Sequence, residues 1–219
     1  MLRSNNLLPM MSVCNSSNLG QRIRLEKNSI SKKYYSTILA RKDRSDVLDP
    51  GHAFVGLTYK DITKEEYLDD GVWKYDQSYV SKTVFNTYSA WPEPGSPESI
   101  SGANHQGKGV PTVNHTTDFS QMQQVINGTI NSNWSVRTIE LSELVFQNYV
   151  NGNDYLNTGC NDYAAIPNLS PTDNRCNCTT QAIRMWEDIT NKAGNRDIIG
   201  NLFLPSDLAI RISQLNSNN

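Results

Sequence analysis

Two residues of this 219-residue chain stand where a nucleophile and its base would stand. Cys178 lies in RCNCTTQAIRMW, where an irregular, Asn-rich stretch gives way to an amphipathic helical pattern. The first N–H groups of a helix have no intrahelical partner, and the helix dipole leaves that end partly positive. A thiolate placed there is stabilised, its pKa falls, and more of the nucleophilic form exists at neutral pH. His52 opens HAFVGLTYK directly after Pro50 and Gly51. An imidazole at the mouth of a strand, facing a helix start, can take the thiol proton, hold an ion pair and later protonate a leaving group. Each residue alone has a blander reading, since Cys is commonly a small buried hydrophobe and a strand-opening His is commonly structural. Their joint contexts favour chemistry.

The elements that must position this pair can be read in outline. HAFVGLTYK (52–60) is a short apolar run bounded by turn signals, hence a strand. YYSTILAR (34–41), VWKYDQSYV (72–80) and KTVFNTYSAW (82–91) are rich in β-formers and read as strands, the last two as antiparallel neighbours of the His52 strand. DITKEEYLDDG between them reads as polar and turn-like. TDFSQMQQVINGTI reads as a short helix capped by Thr117 or Asp118. WSVRTIELS (134–142) is a strand, and SELVFQNYV (142–150) is apolar at helical intervals. CTTQAIRMWEDITNKAG (178–194) carries Ala182, Ile183, Trp186 and Ile189 on one stripe and stops at Gly194. LPSDLAIRISQL (204–215) starts with Pro205 and carries Leu208, Ile212 and Leu215 on one face. Two long loops remain, at 92–111 and 151–177. Helices and strands are mixed rather than alternating, so the class is α+β, with an antiparallel sheet packed against helices. Residues 1–33, aperiodic apart from QRIRLEKNSI (21–30), which reads as a strand or a short helix, form an N-terminal tail or extension, and 34–219 one domain.

Composition narrows the functions. With 20 basic and 22 acidic residues the net charge is −2, so the field of a nucleic-acid binder is missing and a nuclease reading gains no support. No stretch approaches the roughly 20 apolar residues that span a bilayer. MLRSNNLLPMMSVC offers one basic residue and a short apolar run broken by Pro9, which leaves a short signal and a frayed tail both open. The cysteines fall at 14, 160, 176 and 178. Cys160 and Cys176 would close a loop worth around 3 kcal/mol in an oxidising compartment. A zinc site lacks the usual C-x2-C pairs. No metal or cofactor is called for. His105 and His115 lie in or beside the first polar loop and are minor candidates. Trp91, before Pro92, could wall a groove but more simply packs; Trp134 and Trp186 read as core aromatics. The Asn sequons at 114, 127, 133, 168 and 177 read as by-products of Asn richness.

PGHAFVGL at 50–57, NCTTQAIRMW at 177–186 and, more weakly, PSDLAIRI at 205–212 resemble the permuted papain-like group of the NlpC/P60 superfamily. In that group the His-bearing strand precedes the Cys-bearing helix. The resemblance implies a permuted papain-like arrangement and a cysteine-dependent hydrolase or acyltransferase. Such an enzyme would act on an amide, ester or thioester carbonyl, in a peptide, a peptidoglycan stem peptide or an acyl substrate. It also implies a cell-wall or translocated bacterial effector role. The long loop 151–177 with its two further cysteines departs from the pattern. So does the lack of a clear match to the third residue, which orients the imidazole. Asn86, a polar interruption in KTVFNTYS, is the candidate for that role, with Asp76 behind it. The alternative is a catalytically inactive binding module on the same fold, with loops 92–111 and 151–177 as its partner surface.

Overall fold

β-branched and aromatic residues dominate the middle of the chain, and long paired strands follow from them. The computed structural model describes residues 23–24, 28–42, 51–69, 72–92, 106–107, 109–152, 162–164, 175–195, 197–202 and 204–218. Within these, β2 (Asn28–Arg41), β3 (Ala53–Asp69) and β4 (Val72–Pro92) lie side by side and antiparallel. β6 (Gly109–Val113) and β7 (Trp134–Leu141) flank them, giving the order β6-β4-β3-β2-β7. The two-residue β1 (Ile23–Arg24) pairs with β3 off this path. β5 (Gln106–Gly107), β8 (Asp162–Ala164) and β9 (Arg175–Cys176) form a small second sheet. Four helices accompany the strands: α1 (Thr116–Asn127), α2 (Glu143–Asn151), α3 (Cys178–Lys192) and α4 (Pro205–Ser217). The described chain is therefore α+β around an antiparallel sheet. No described helix is long and apolar enough to cross a membrane.

Strand side chains point alternately to the two faces of a sheet, and both faces here are covered. Ile38, Ala40, Ala53, Val55 and Leu57 join Phe146 and Tyr149 of α2, Ile183, Trp186 and Ile189 of α3, and Leu208 and Ile212 of α4 in the larger core. Leu39, Phe54 and Val84 point the other way, onto Met122 of α1. Each fully buried side chain of this kind contributes about 1.5–3 kcal/mol. Gly56 lies on the α1 side, where an added Cβ would sit 2.6 Å from the Met122 sulfur and 3.0 Å from its Cγ. The missing side chain is what lets α1 come this close to β3.

Three boundaries differ from the expectation. β3 runs on to Asp69 through the polar stretch read as a turn, and 72–91 form one strand instead of two. That stretch lacks an apolar face, so its periodicity is silent. Ladder bonds to both neighbours hold it extended, with Lys32 opposite Asp61 as one cross-strand charge pair. β1 and the start of β2 fall in QRIRLEKNSI, the part of 1–33 read as a strand or a short helix. The cap of α1 is His115, not Thr117 or Asp118. Asn114, at φ 57°, docks on β4 through Asn114 N–H to Thr87 O (2.9 Å) and Thr87 N–H to Asn114 Oδ1 (2.9 Å). The helix starts immediately after this anchor, which leaves Asp118 within its first turn.

Candidate active site

α3 begins where the sequence places it. Asn177 is the N-cap: its Oδ1 accepts from Thr180 N–H at 2.9 Å, and Thr180 Oγ1 accepts from Asn177 N–H at 2.9 Å. This reciprocal capping box fixes the first turn and buries Asn177. Cys178 is the first helical residue, buried at 7% exposure, with a free thiol. Two residues earlier, Cys176 is engaged in a disulfide. Its expected partner, Cys160, lies outside the described residues, as does Cys14.

His52 sits just before β3, held in register by Arg41 N–H to His52 O at 3.0 Å. The imidazole lies beside the Cys178 sulfur, whose charge raises its pKa, and through Nε2 it reaches Asp118 Oδ1 at 2.8 Å. With Nε2 committed to the carboxylate, Nδ1 is the nitrogen left for the sulfur. Asp118 is fully buried on α1. Its other oxygen, Oδ2, accepts from Ser89 Oγ–H at 2.5 Å and from Trp91 Nε1–H at 3.2 Å. Three elements thus meet at one end of the sheet: α3 brings the sulfur, the mouth of β3 the imidazole, and α1 the carboxylate.

The electrostatics of the three groups agree. Burial alone would raise the Cys178 pKa, but the adjacent imidazolium outweighs it, helped by the Ala53 backbone N–H. The thiol is held below its ordinary range. Burial alone would lower the His52 pKa, but the thiolate and the hydrogen-bonded Asp118 carboxylate raise it, to about 10. Asp118 is held below the usual carboxylate range despite its burial, by the imidazolium and by the Ser89 and Trp91 donors. These shifts favour a thiolate–imidazolium pair with an ionised carboxylate behind it.

The expected third residue is not brought to this site. Asn86 pairs with Leu57 in the body of the sheet, five residues along from His52, on the order of 16 Å at strand rise. Its side chain donates to Tyr88 Oη (2.9 Å) and accepts from Asn114 Nδ2 (2.8 Å). Asp76 is farther still on β4, on the order of 50 Å from Trp91 along the strand. Asp118 occupies the place that Asn86 was expected to fill. Trp91 is at the site as well, its ring 4.4 Å from that of His52 and stacked on His115 at 4.0 Å. Trp186 is fully buried, whereas Trp134 packs edge-on against Phe54 from a half-buried position. His105 lies outside the described residues. Beside His52 a cavity of about 370 Å³ opens on the α1 side, lined among others by Arg41, Trp91, Gln121 and Trp134. Among the described residues no group of three or more His, Cys, Asp or Glu side chains could hold a metal ion.

Comparison with family models, with curated proteins and with solved structures finds no match to this chain.

Proposed function

We propose that the chain is a cysteine hydrolase or acyltransferase with Cys178 as nucleophile, His52 as acid–base group and Asp118 as its orienting carboxylate. The observation that carries the reading is the convergence on one imidazole of a helix-start sulfur and a buried carboxylate. In the first step the Cys178 thiolate attacks a carbonyl carbon and a C–S bond forms. The backbone N–H of Cys178 at the start of α3 favours the oxyanion. As the intermediate collapses, the bond to the leaving nitrogen, oxygen or sulfur breaks, and the His52 imidazolium supplies the proton that group needs. Water, or an acceptor amine or alcohol, then gives its proton to His52 and attacks the thioester. The acyl product leaves and the thiolate is restored. Asp118 stays ionised throughout and holds the ring.

The His-strand-before-Cys-helix order agrees with a permuted papain-like arrangement of the NlpC/P60 kind. Peptide, peptidoglycan-peptide and acyl substrates remain the classes that go with it. The disulfide at Cys176 supports an oxidising destination, in keeping with a secreted or translocated protein.

The test is burst kinetics with p-nitrophenyl acetate, followed by mass spectrometry. The native chain is expected to release about one equivalent of nitrophenolate in a burst and to carry the acetyl group on Cys178. Cys178→Ala should give neither. A native chain that cannot be told from Cys178→Ala overturns the reading in favour of a catalytically inactive binding module.

A further inference from the structure

A carboxylate that orients an imidazole must itself be oriented, because it can rotate about its own bonds and present either oxygen. Here the rotation is blocked from β4. Ser89 and Trp91 lie two residues apart, on one face of the strand, and both donate to Asp118 Oδ2. Ser89 and Asp118 are fully or almost fully buried, so water does not compete for these bonds. Oδ1 is left for His52. Trp91 has a second contact: its ring lies between the His52 ring at 4.4 Å, inclined by 40°, and the His115 ring at 4.0 Å, inclined by 20°. The negative face of an indole favours a cation against it. Asp118 also makes no cap bond to its own helix, for the α1 start has no side-chain cap. Its carboxylate is directed wholly toward β4 and His52.

We infer that Ser89 and Trp91 are positioning residues of this site, a two-donor clamp that fixes Asp118 so that His52 is held protonated and turned toward Cys178. The inference deepens the proposed function and rests on its assignment of His52 and Cys178. Apart from the clamp, the titratable and charged groups around the imidazole among the described residues are Cys178 from α3, Asp118 from α1, His115 at the head of α1, and Arg41 at the end of β2. Only Asp118 is gripped by both clamp donors.

The experiment is the pH dependence of iodoacetamide alkylation of Cys178, read by peptide mass spectrometry on the full chain. The rate follows the thiolate, so its inflection reports how well the imidazolium is held. Ser89→Ala and Trp91→Phe should each move the inflection up by about half to one pH unit, a three- to tenfold loss of rate below it. Ser89→Thr, which keeps the hydroxyl, should restore it. In an Asp118→Asn background neither substitution should move the inflection further, because the clamp acts through the carboxylate. Residues that only support the fold would lower the melting temperature and leave the inflection in place in both backgrounds; that outcome overturns the inference. Should Trp91→Phe fail to fold, Ser89→Ala and Ser89→Thr decide alone. Alkylation reads the ion pair without any turnover. A moved inflection in a chain that gives no nitrophenolate burst would therefore keep the clamp and remove only the catalytic reading.

Discussion

The starts of α3 and α1 contribute to the same imidazole from opposite faces of the sheet, yet they are built in opposite ways. α3 closes its own first turn with the Asn177–Thr180 capping box, and its site residue is left to the imidazole. α1 begins at His115 with no side-chain cap, and the acid in its first turn is directed away from its own backbone. The first start is determined by residues within a few positions of each other. The second depends on partners far away in sequence: Thr87 anchoring Asn114, Ser89 and Trp91 gripping Asp118, and Gly56 allowing Met122 to seat. A local start resists distant change, whereas a start held by tertiary contacts transmits it.

Substitutions at the two starts can break this contrast. The largest effects belong to the reacting pair. His52→Ala should lower turnover on the order of a thousandfold and raise the pKa of the buried Cys178 thiol to or above its ordinary value of about 8.5, checked by alkylation across pH. Asp118→Asn should lower turnover on the order of a hundredfold with the fold retained, checked by steady-state kinetics. It should also change the acid limb of stability. The folded-state pKa of Asp118 lies below its unfolded value. Its contribution is therefore present above an unfolded pKa of about 3.9 and is lost as pH falls through the lower folded value. Urea unfolding from neutral pH into acid should fall less steeply in Asp118→Asn than in the native chain.

Smaller effects separate the two starts more directly. Gly56→Ala should destabilise by about 1–3 kcal/mol through overpacking against Met122 and should raise the alkylation inflection along with it. Trimming Met122 in the same chain should recover the inflection even where stability is not regained. Asn177→Ala should cost about 1 kcal/mol in urea unfolding through loss of the cap, with the smallest change in the His52–Asp118 contact. If Asn177→Ala disturbs that contact more than Gly56→Ala does, the contrast between local and tertiary control is wrong.

What could be read from the sequence follows the same division. Cys178 and the body of α3 were legible because cap, stripe and stop are encoded within one continuous segment. His52 was legible because Pro50 and Gly51 precede an apolar run. Asn86 stood out only as a polar residue in a β-rich strand, and that signal has a structural cause, its bonds to Tyr88 and Asn114. Asp118 was visible as an acid near a helix start, where capping is the usual reason. Its bonds to His52, Ser89 and Trp91 are made across the fold, and nothing in a linear reading shows that β4 passes beside α1. The length of β3 and β4 was illegible for a different reason. A ribbon without an apolar face gives no period-2 signal and is held by its neighbours' ladders.

The order of the three groups along the chain has a consequence for biosynthesis. His52 emerges from the ribosome first, Asp118 next and Cys178 last. At roughly 5–20 residues per second, the base precedes the sulfur by on the order of ten seconds. A nascent chain halted between α1 and α3 carries the imidazole and the Asp118 carboxylate but not Cys178. A C-terminal fragment cut after α1 carries the sulfur without either partner, and its thiol has no imidazolium to activate it. On the proposed reading, truncation or stalling anywhere between His52 and Cys178 leaves the imidazole and the sulfur in separate products, and an activated thiolate needs a chain completed through α3 and folded.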